Sequence, residues 1–179
     1  MLKIEDSMLM IIDAQGKLAR VVAESTAAIS RIQILTRAAS ILGLPLLLTA
    51  QSPHKIGHTI TEIVSLLPEQ PELARTSFSL LADRDCRLAL EASARRQLLL
   101  CGFETHICVF QSAAEMLAAG YEVTVIADAV SSRQLSDKQT ALQEISRLGG
   151  HILSTEMALF SLLRDASDPR FKDISALIK

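Results

Sequence analysis

The sequence is poor in the residues that nucleic-acid binding and membrane insertion require. It has no Trp, its aromatic content is 3%, and its formal net charge is -2 with no basic stripe. Base stacking uses aromatic side chains, and phosphate binding uses clustered Lys and Arg. No apolar run is long enough to span a bilayer, and the charged N-terminus lacks the apolar core of a signal peptide. We therefore expect no nucleic-acid partner, no membrane partner and a cytoplasmic location.

Cysteine is also scarce, with Cys86, Cys101 and Cys108 as the three positions. An odd count argues against a disulfide framework, and the absence of CxxC spacing argues against structural zinc. His54 and His58 have a spacing that could bind metal on a helix, but Gly57 between them argues against a regular helix. We predict no metal site.

Apolar runs and helical periodicities alternate along the 179 residues. Predicted strands cover residues 7–13, 44–50, 97–101, 121–127 and 151–153, with a further short strand near Leu73 in the irregular stretch 71–79. Predicted helices cover residues 23–42, 60–67, 83–93, 107–119 and 138–148, one from Ser154 or Thr155 to about Leu163, and one from Asp168-Pro169; residues 51–57 are predicted to be a loop. This order predicts an α/β fold: a three-layer α/β/α sandwich with a mostly parallel, Rossmann-like sheet of about six strands. No linker divides the chain, so one domain over 1–179 is expected.

Cys108 lies where a predicted strand leads into a predicted helix. The helix dipole and the unpaired N–H groups of a helix start favour negative charge there, which would bias the thiol toward thiolate. Such a thiolate would react with iodoacetamide well below pH 8 and faster than Cys86 or Cys101. The alternative is that Cys108 is a small buried hydrophobe, as free cysteines often are.

Polar residues follow several of the predicted strands. In parallel α/β sheets, ligands bind beyond the carboxyl ends of the strands. The residues at those ends are Asp13 and Gln15, Gln51, Arg75, Glu104 to Cys108, and Asp128 with Ser131. A thiol, an acid and a cation at one edge suit nucleophilic catalysis.

The chain resembles the isochorismatase-like cysteine hydrolases over nearly its whole length. The resemblance rests on four segments: Asp13-Ala14-Gln15, Ala74-Arg75-Thr76-Ser77-Phe78-Ser79, Gly102-x-x-Thr105-x-x-Cys108-Val109, and Asp128-Ala129-Val130-Ser131-Ser132-Arg133. The stretch Arg75-Thr76-Ser77-Phe78-Ser79 and the tail near Pro169-Arg170-Phe171-Lys172 are most similar to the isochorismatase-domain-containing subgroup.

The resemblance implies roles for individual residues. Cys108 matches the nucleophile and Asp13 matches the acid that takes its proton. The family has a cis peptide at the position of Phe103–Glu104, which directs the backbone N–H groups of Glu104 and Cys108 at the oxyanion. The resemblance also implies a homo-oligomer and no bound organic cofactor.

Arg75 stands where most family members carry the lysine of an Asp-Lys-Cys triad. Arginine can hold a thiolate by charge and forked hydrogen bonds, but it cannot release a proton at working pH. A solvated loop cation is the alternative role for Arg75. Candidate contacts to a small-molecule substrate are Gln15, Gln51, Phe78 and His106.

The sequence predicts a cysteine-dependent hydrolase of a small amide, ester or related carbonyl compound, with C–N bonds other than peptide bonds as the expected target. Two alternatives stay open. The chain could be a catalytically impaired or non-catalytic member that binds a small molecule, which Arg75 favours. It could also be a true isochorismatase, although some of those enzymes lack the cysteine.

Overall fold

The computed structural model describes all residues from 1 to 179. Six strands form one all-parallel sheet: β1 (Ser7–Ile12), β2 (Leu46–Gln51), β3 (Glu72–Arg75), β4 (Gln97–Phe103), β5 (Glu122–Ser131) and β6 (His151–Leu153). The strands lie in the order β3-β2-β1-β4-β5-β6. The direction of strand addition therefore reverses between β1 and β4, which is where α/β sheets of this order bind ligands.

Nine helices surround the sheet. They are α1 (Leu18–Val21), α2 (Ser25–Leu42), α3 (Pro53–Ile56), α4 (Thr61–Val64), α5 (Arg84–Ser93), α6 (Phe110–Ala118), α7 (Leu135–Arg147), α8 (Thr155–Leu163) and α9 (Phe171–Leu177). None of them is long and apolar enough to cross a membrane. The three-layer α/β/α architecture predicted from the alternation of strands and helices is confirmed.

Strand side chains alternate between two cores, one on each face of the sheet. Leu9 and Ile11 of β1 pack with α2, α8 and α9 on one face. Met8 and Met10 point to the other face and pack with α5, α6 and α7. Because both faces are covered, β1 and β4 are buried along their whole length, which explains their continuous apolar sequences.

Two helix ends follow their sequence signatures. Gly43 ends α2 in the left-handed conformation, with φ at 66°, as its position predicted. The Ser154 side chain accepts a hydrogen bond from the Met157 N–H and so caps α8, which the sequence also predicted.

Four predictions of local structure were wrong in detail. The predicted loop 51–57 contains α3, whose first residue Pro53 has the backbone angle of a helix start. The helix predicted over 107–119 begins only at Phe110, because residues 105–109 form a π-helical turn. The strand predicted to end at residue 127 continues to Ser131, so Asp128 lies within β5.

The fourth error concerns the last helix. Asp168 accepts hydrogen bonds from the N–H and the guanidinium of Arg170, which makes a turn, and α9 begins at Phe171.

We predict that Gly102→Ala lowers the free energy of unfolding by about 2 kcal/mol or more. Gly102 has φ at 114°, and a Cβ there would lie 1.9 Å from the carbonyl oxygen of Ile12 on the neighbouring strand. Urea denaturation followed by circular dichroism measures the change. Gly43→Ala is the matched control, since its left-handed backbone faces open space, and it should cost only about 1 kcal/mol. Equal losses in both variants would contradict the predicted clash.

Candidate active site

The candidate site lies at the carboxyl ends of β1 and β4, where the strand order reverses. Asp13 follows β1, and Cys108 lies in the π-helical turn after β4. Both side chains line a cavity of about 220 Å³. The sequence prediction that these two residues meet at one edge of the sheet therefore agrees with the structure.

Asp13 and Arg75 form an ion pair inside the protein. Arg75 ends β3, and its Nη2 lies 2.6 Å from Oδ2 of Asp13. The side chains are 0% and 1% exposed, so the alternative of a solvated loop cation is excluded for Arg75. The other terminal nitrogen of Arg75 donates to the carbonyl oxygen of Ser77, and Nε has no partner in the chain. The hydroxyl of Thr49 lies 3.4 Å from Oδ1 of Asp13.

The environment of Cys108 disfavours a resting thiolate. Burial raises the pKa of the thiol to about 12, and the charge of Asp13 and its hydrogen bond raise it as well. Arg75 lowers this pKa, but the carboxylate that Arg75 binds cancels most of its charge. This raised pKa argues against a reaction of Cys108 well below pH 8, because the thiol is buried and the positive charge of Arg75 is paired with Asp13.

Asp13 is suited to accept a proton. Burial raises its pKa above the ordinary value of an aspartate, and Arg75 opposes this shift by charge and hydrogen bonding. The hydrogen bond with Cys108 also lowers the pKa of this carboxylate. A neutral thiol beside a carboxylate of raised pKa is the arrangement of a nucleophile with its general base.

The Phe103–Glu104 peptide bond is cis, as the resemblance implied. The N–H of Glu104 donates no hydrogen bond within the chain. Its side chain lines the cavity, and Oε1 accepts from Nε of Arg133 at 2.8 Å. The backbone N–H of Glu104 is thus without a partner in the chain.

Gln15 lines the cavity, but its side-chain amide is committed to the backbone. Its Nε2 donates to the carbonyl oxygens of Gln51 and Gly57 at 2.9 and 2.7 Å. Its Oε1 accepts from the N–H of Gln51 at 2.7 Å. Gln15 therefore holds the cavity wall in place, because these backbone groups would otherwise be unpaired, and its predicted contact with substrate stays a prediction.

Gln51 and Phe78 lie where the sequence predicted. Nε2 of Gln51 donates to the Ser52 hydroxyl and to the Thr76 carbonyl, while Oε1 has no hydrogen-bond donor from the chain. Phe78 is half-exposed at the rim of the cavity. Both side chains line the cavity that contains Cys108.

His106 does not line the catalytic cavity. Its Nδ1 lies 2.9 Å from the Ser132 hydroxyl, and its Nε2 lies 3.8 Å from Asp137 at the start of α7. The prediction that His106 contacts substrate is therefore wrong. The π-helical turn directs residue 106 toward α7, which its sequence distance of two from Cys108 did not reveal.

Part of the cavity wall was not predicted from the sequence. Arg133 was noted within a motif but was given no role, although it follows β5 at the functional edge of the sheet. Its polar character at that position could have identified it. The remaining missed wall residues are apolar: Leu18, Ile56 and Ile107.

Comparisons with known proteins agree with this geometry. The sequence model of the family described as Isochorismatase domain matches residues 7–157. "Secreted isochorismatase effector Isc1" of Phytophthora sojae is 35% identical over 177 residues, which cover 97% of this chain and 84% of that protein. Several further relatives are named isochorismatase domain-containing protein 2. The chain spans 52% of the length of two fish relatives named isochorismatase domain-containing protein 1.

Solved structures share the same fold. "MAR1 Ribonuclease" from Caenorhabditis elegans superposes with a TM-score of 0.93 at 29% identity, covering 99% of this chain and 91% of that one. The YcaC gene product from Escherichia coli, described as an octameric hydrolase of unknown specificity, also superposes with a TM-score of 0.93. Its identity to this chain is 23%, and the match covers 99% of this chain and 88% of that one.

We predict that Asp13→Asn speeds alkylation of Cys108 by iodoacetamide at pH 8 by about tenfold or more. The substitution removes the negative charge that raises the thiol pKa and leaves the positive charge of Arg75 beside it. Intact mass followed over time, in a background of Cys86→Ala and Cys101→Ala, reports the rate. The control is Asp173→Asn, at an exposed position on α9. Its alkylation rate should equal that of the protein that carries only Cys86→Ala and Cys101→Ala, which is the parent. A parent rate that reaches its plateau below about pH 8 would contradict the raised pKa.

Proposed function

Because this chain belongs to the isochorismatase family, we propose that it is a cysteine hydrolase of a small amide, ester or related carbonyl compound. The observation that carries the proposal is the cavity that holds Cys108 beside the buried Asp13–Arg75 ion pair. Its volume of about 220 Å³ is below the roughly 300–1,000 Å³ of pockets for drug-sized ligands. A small substrate is therefore favoured, and C–N bonds other than peptide bonds are the proposed target.

The first half of the proposed reaction forms a thioester. Asp13 takes the proton of the Cys108 thiol as the sulfur attacks the substrate carbonyl. The backbone N–H groups of Glu104 and Cys108 donate to the oxyanion of the tetrahedral intermediate. When this intermediate collapses, the carbon–nitrogen or carbon–oxygen bond breaks and Asp13 returns the proton to the leaving group.

The second half releases the acyl group. Water attacks the thioester and gives a proton to Asp13, and collapse of this second intermediate breaks the carbon–sulfur bond. The sulfur takes the proton back from Asp13, and a carboxylic acid leaves. Arg75 stays charged throughout and holds the carboxylate in place, so this scheme requires no proton from arginine.

A second candidate function is small-molecule binding without turnover. The raised pKa of Cys108 and the arginine at the family's lysine position favour it. Arg75→Lys separates the two candidates. The guanidinium of Arg75 binds both Asp13 and the Ser77 carbonyl, and a lysine at this position can keep only one of these contacts. In the hydrolase scheme the activity of the variant therefore falls. A gain of hydrolysis would show that arginine impairs the triad.

Two further properties are part of the proposal. We propose a homo-oligomer, with the octamer named for the E. coli structure as the precedent. We also propose a cytoplasmic location, although the P. sojae relative is named as a secreted protein.

We predict that Cys108→Ala lowers kcat/KM by about 10⁴-fold or more, since it removes the nucleophile. Asp13→Asn should cost about 10² to 10⁴-fold, the usual contribution of a general base. A panel of small amides, imides and esters measures both effects, and RNA is included because of the name of the C. elegans structure. Cys101→Ala, at a buried position away from the cavity, is the control. Equal turnover in wild type and Cys108→Ala would contradict the proposal, and so would cleavage of RNA alone.

We predict that kcat/KM declines at acid pH with an apparent pKa above 3.9, the ordinary value of an aspartate. Burial raises the pKa of Asp13, so the carboxylate becomes protonated at a higher pH than an exposed one and the base is lost there. A pH–rate profile gives the value, and circular dichroism at each pH separates it from unfolding. A profile in which the acid-side decline of kcat/KM has its apparent pKa at or below about 4 would show that Asp13 is not the base.

A further inference from the structure

The segment 75–80 joins the ion pair to the cavity wall, since it carries both Arg75 and Phe78. A series of hydrogen bonds runs from it away from the site. Arg75 donates to the carbonyl oxygen of Ser77, and the Ser77 hydroxyl donates to the carbonyl oxygen of Ser79 at 2.9 Å. The Ser79 hydroxyl donates to Oε2 of Glu115 at 2.5 Å. We call these four residues the Arg75–Glu115 chain.

Glu115 belongs to the helix that directly follows the nucleophile. Ser112 and Glu115 are three residues apart on α6, which places them along one side of that helix. Ser112 is fully buried, and its hydroxyl accepts from the N–H of Leu80 at 3.1 Å. This side of α6 therefore binds the segment 75–80 at two of its residues, Ser79 and Leu80.

The guanidinium of Arg75 has few other contacts to fix its position. Its Nε is buried without a partner, so its hydrogen bonds go to Asp13 and to the Ser77 carbonyl. The position of the Ser77 carbonyl depends in turn on Ser79, whose side chain is bound by Glu115. Glu115 is exposed and does not line the cavity, so any effect on the site must pass through this chain.

We propose that Glu115 is a positioning residue, which holds the Arg75 guanidinium against Asp13 through Ser79 and Ser77. The expected effect of this positioning role on catalysis rests on the proposed hydrolase function. Without the Glu115 carboxylate, the Ser79 hydroxyl loses its acceptor and the Ser77 carbonyl can move. Arg75 then leaves its place beside Asp13 and Cys108, and both lose the nearby positive charge.

The first test compares Ser79→Ala, Glu115→Ala and the double variant. We expect kcat to fall by about tenfold, KM to stay within about twofold and the acid limb of the pH profile to move to higher pH, because Arg75 lowers the pKa of Asp13. The activity of the double variant should be no lower than that of the less active single variant.

Two further variants serve as controls. Glu115→Gln keeps an acceptor oxygen and should restore activity. Glu144→Ala, an exposed helix glutamate bound only to Arg147, is the control and should match wild type.

The second test needs no substrate and separates this proposal from the hydrolase proposal. In the Cys86→Ala, Cys101→Ala background, alkylation of Cys108 at about pH 9 should slow by about fivefold in Glu115→Ala. A displaced Arg75 no longer favours the thiolate. A merely structural loosening would expose the thiol and speed alkylation, which would overturn the proposal, as would an unchanged rate. If wild type hydrolyses nothing but alkylation slows, the positioning role stands and the hydrolase function fails.

Discussion

The candidate site depends on the buried ion pair between Asp13 and Arg75. Asp13 follows β1 and Arg75 ends β3, so the pair connects two strands that are separated by β2 in the sheet. Removal of one partner would leave an uncompensated charge in the interior, at a cost of about 3–5 kcal/mol. The same contact cancels the charge beside Cys108, so the sulfur faces a neutral ion pair, and proton transfer to Asp13 becomes the route to a thiolate.

The sequence predicted the fold and the meeting of Asp13 and Cys108 at one edge of the sheet because both follow from local pattern. Apolar runs identify buried strands, parallel strands end at the same edge, and polar residues directly after them converge there, as Asp13 and Cys108 do. Gln15 and His106 also lie near that edge, but their side chains turn to partners more than 25 residues away. No local pattern contains those partners. The raised pKa of Cys108 was missed because its main cause is burial in the folded chain, to which the charge of Asp13 adds.

The site combines rigid and surface-exposed parts. The proposed nucleophile and its proposed base follow the two central strands, whose side chains belong to the two cores. The cavity walls instead come from connections: α3 contributes Ile56, and the segment after β3 contributes Phe78. Hydrogen bonds donated by Gln15 and Gln51, and one accepted by Ser112 of α6, hold these connections in place. The proposed catalytic groups are thus positioned by the sheet, and the shape of the cavity is set by the connecting segments bound to it.

The hydrogen bonds made by Gln15 have a consequence for evolvability. Because this amide binds only backbone atoms of the wall, it supports the loop whatever side chains the loop carries at its other positions. Ile56 can therefore be exchanged during divergence, or randomised in a directed-evolution library, without loss of these supporting hydrogen bonds. A scaffold of this kind can acquire new substrates while its chemistry is inherited unchanged.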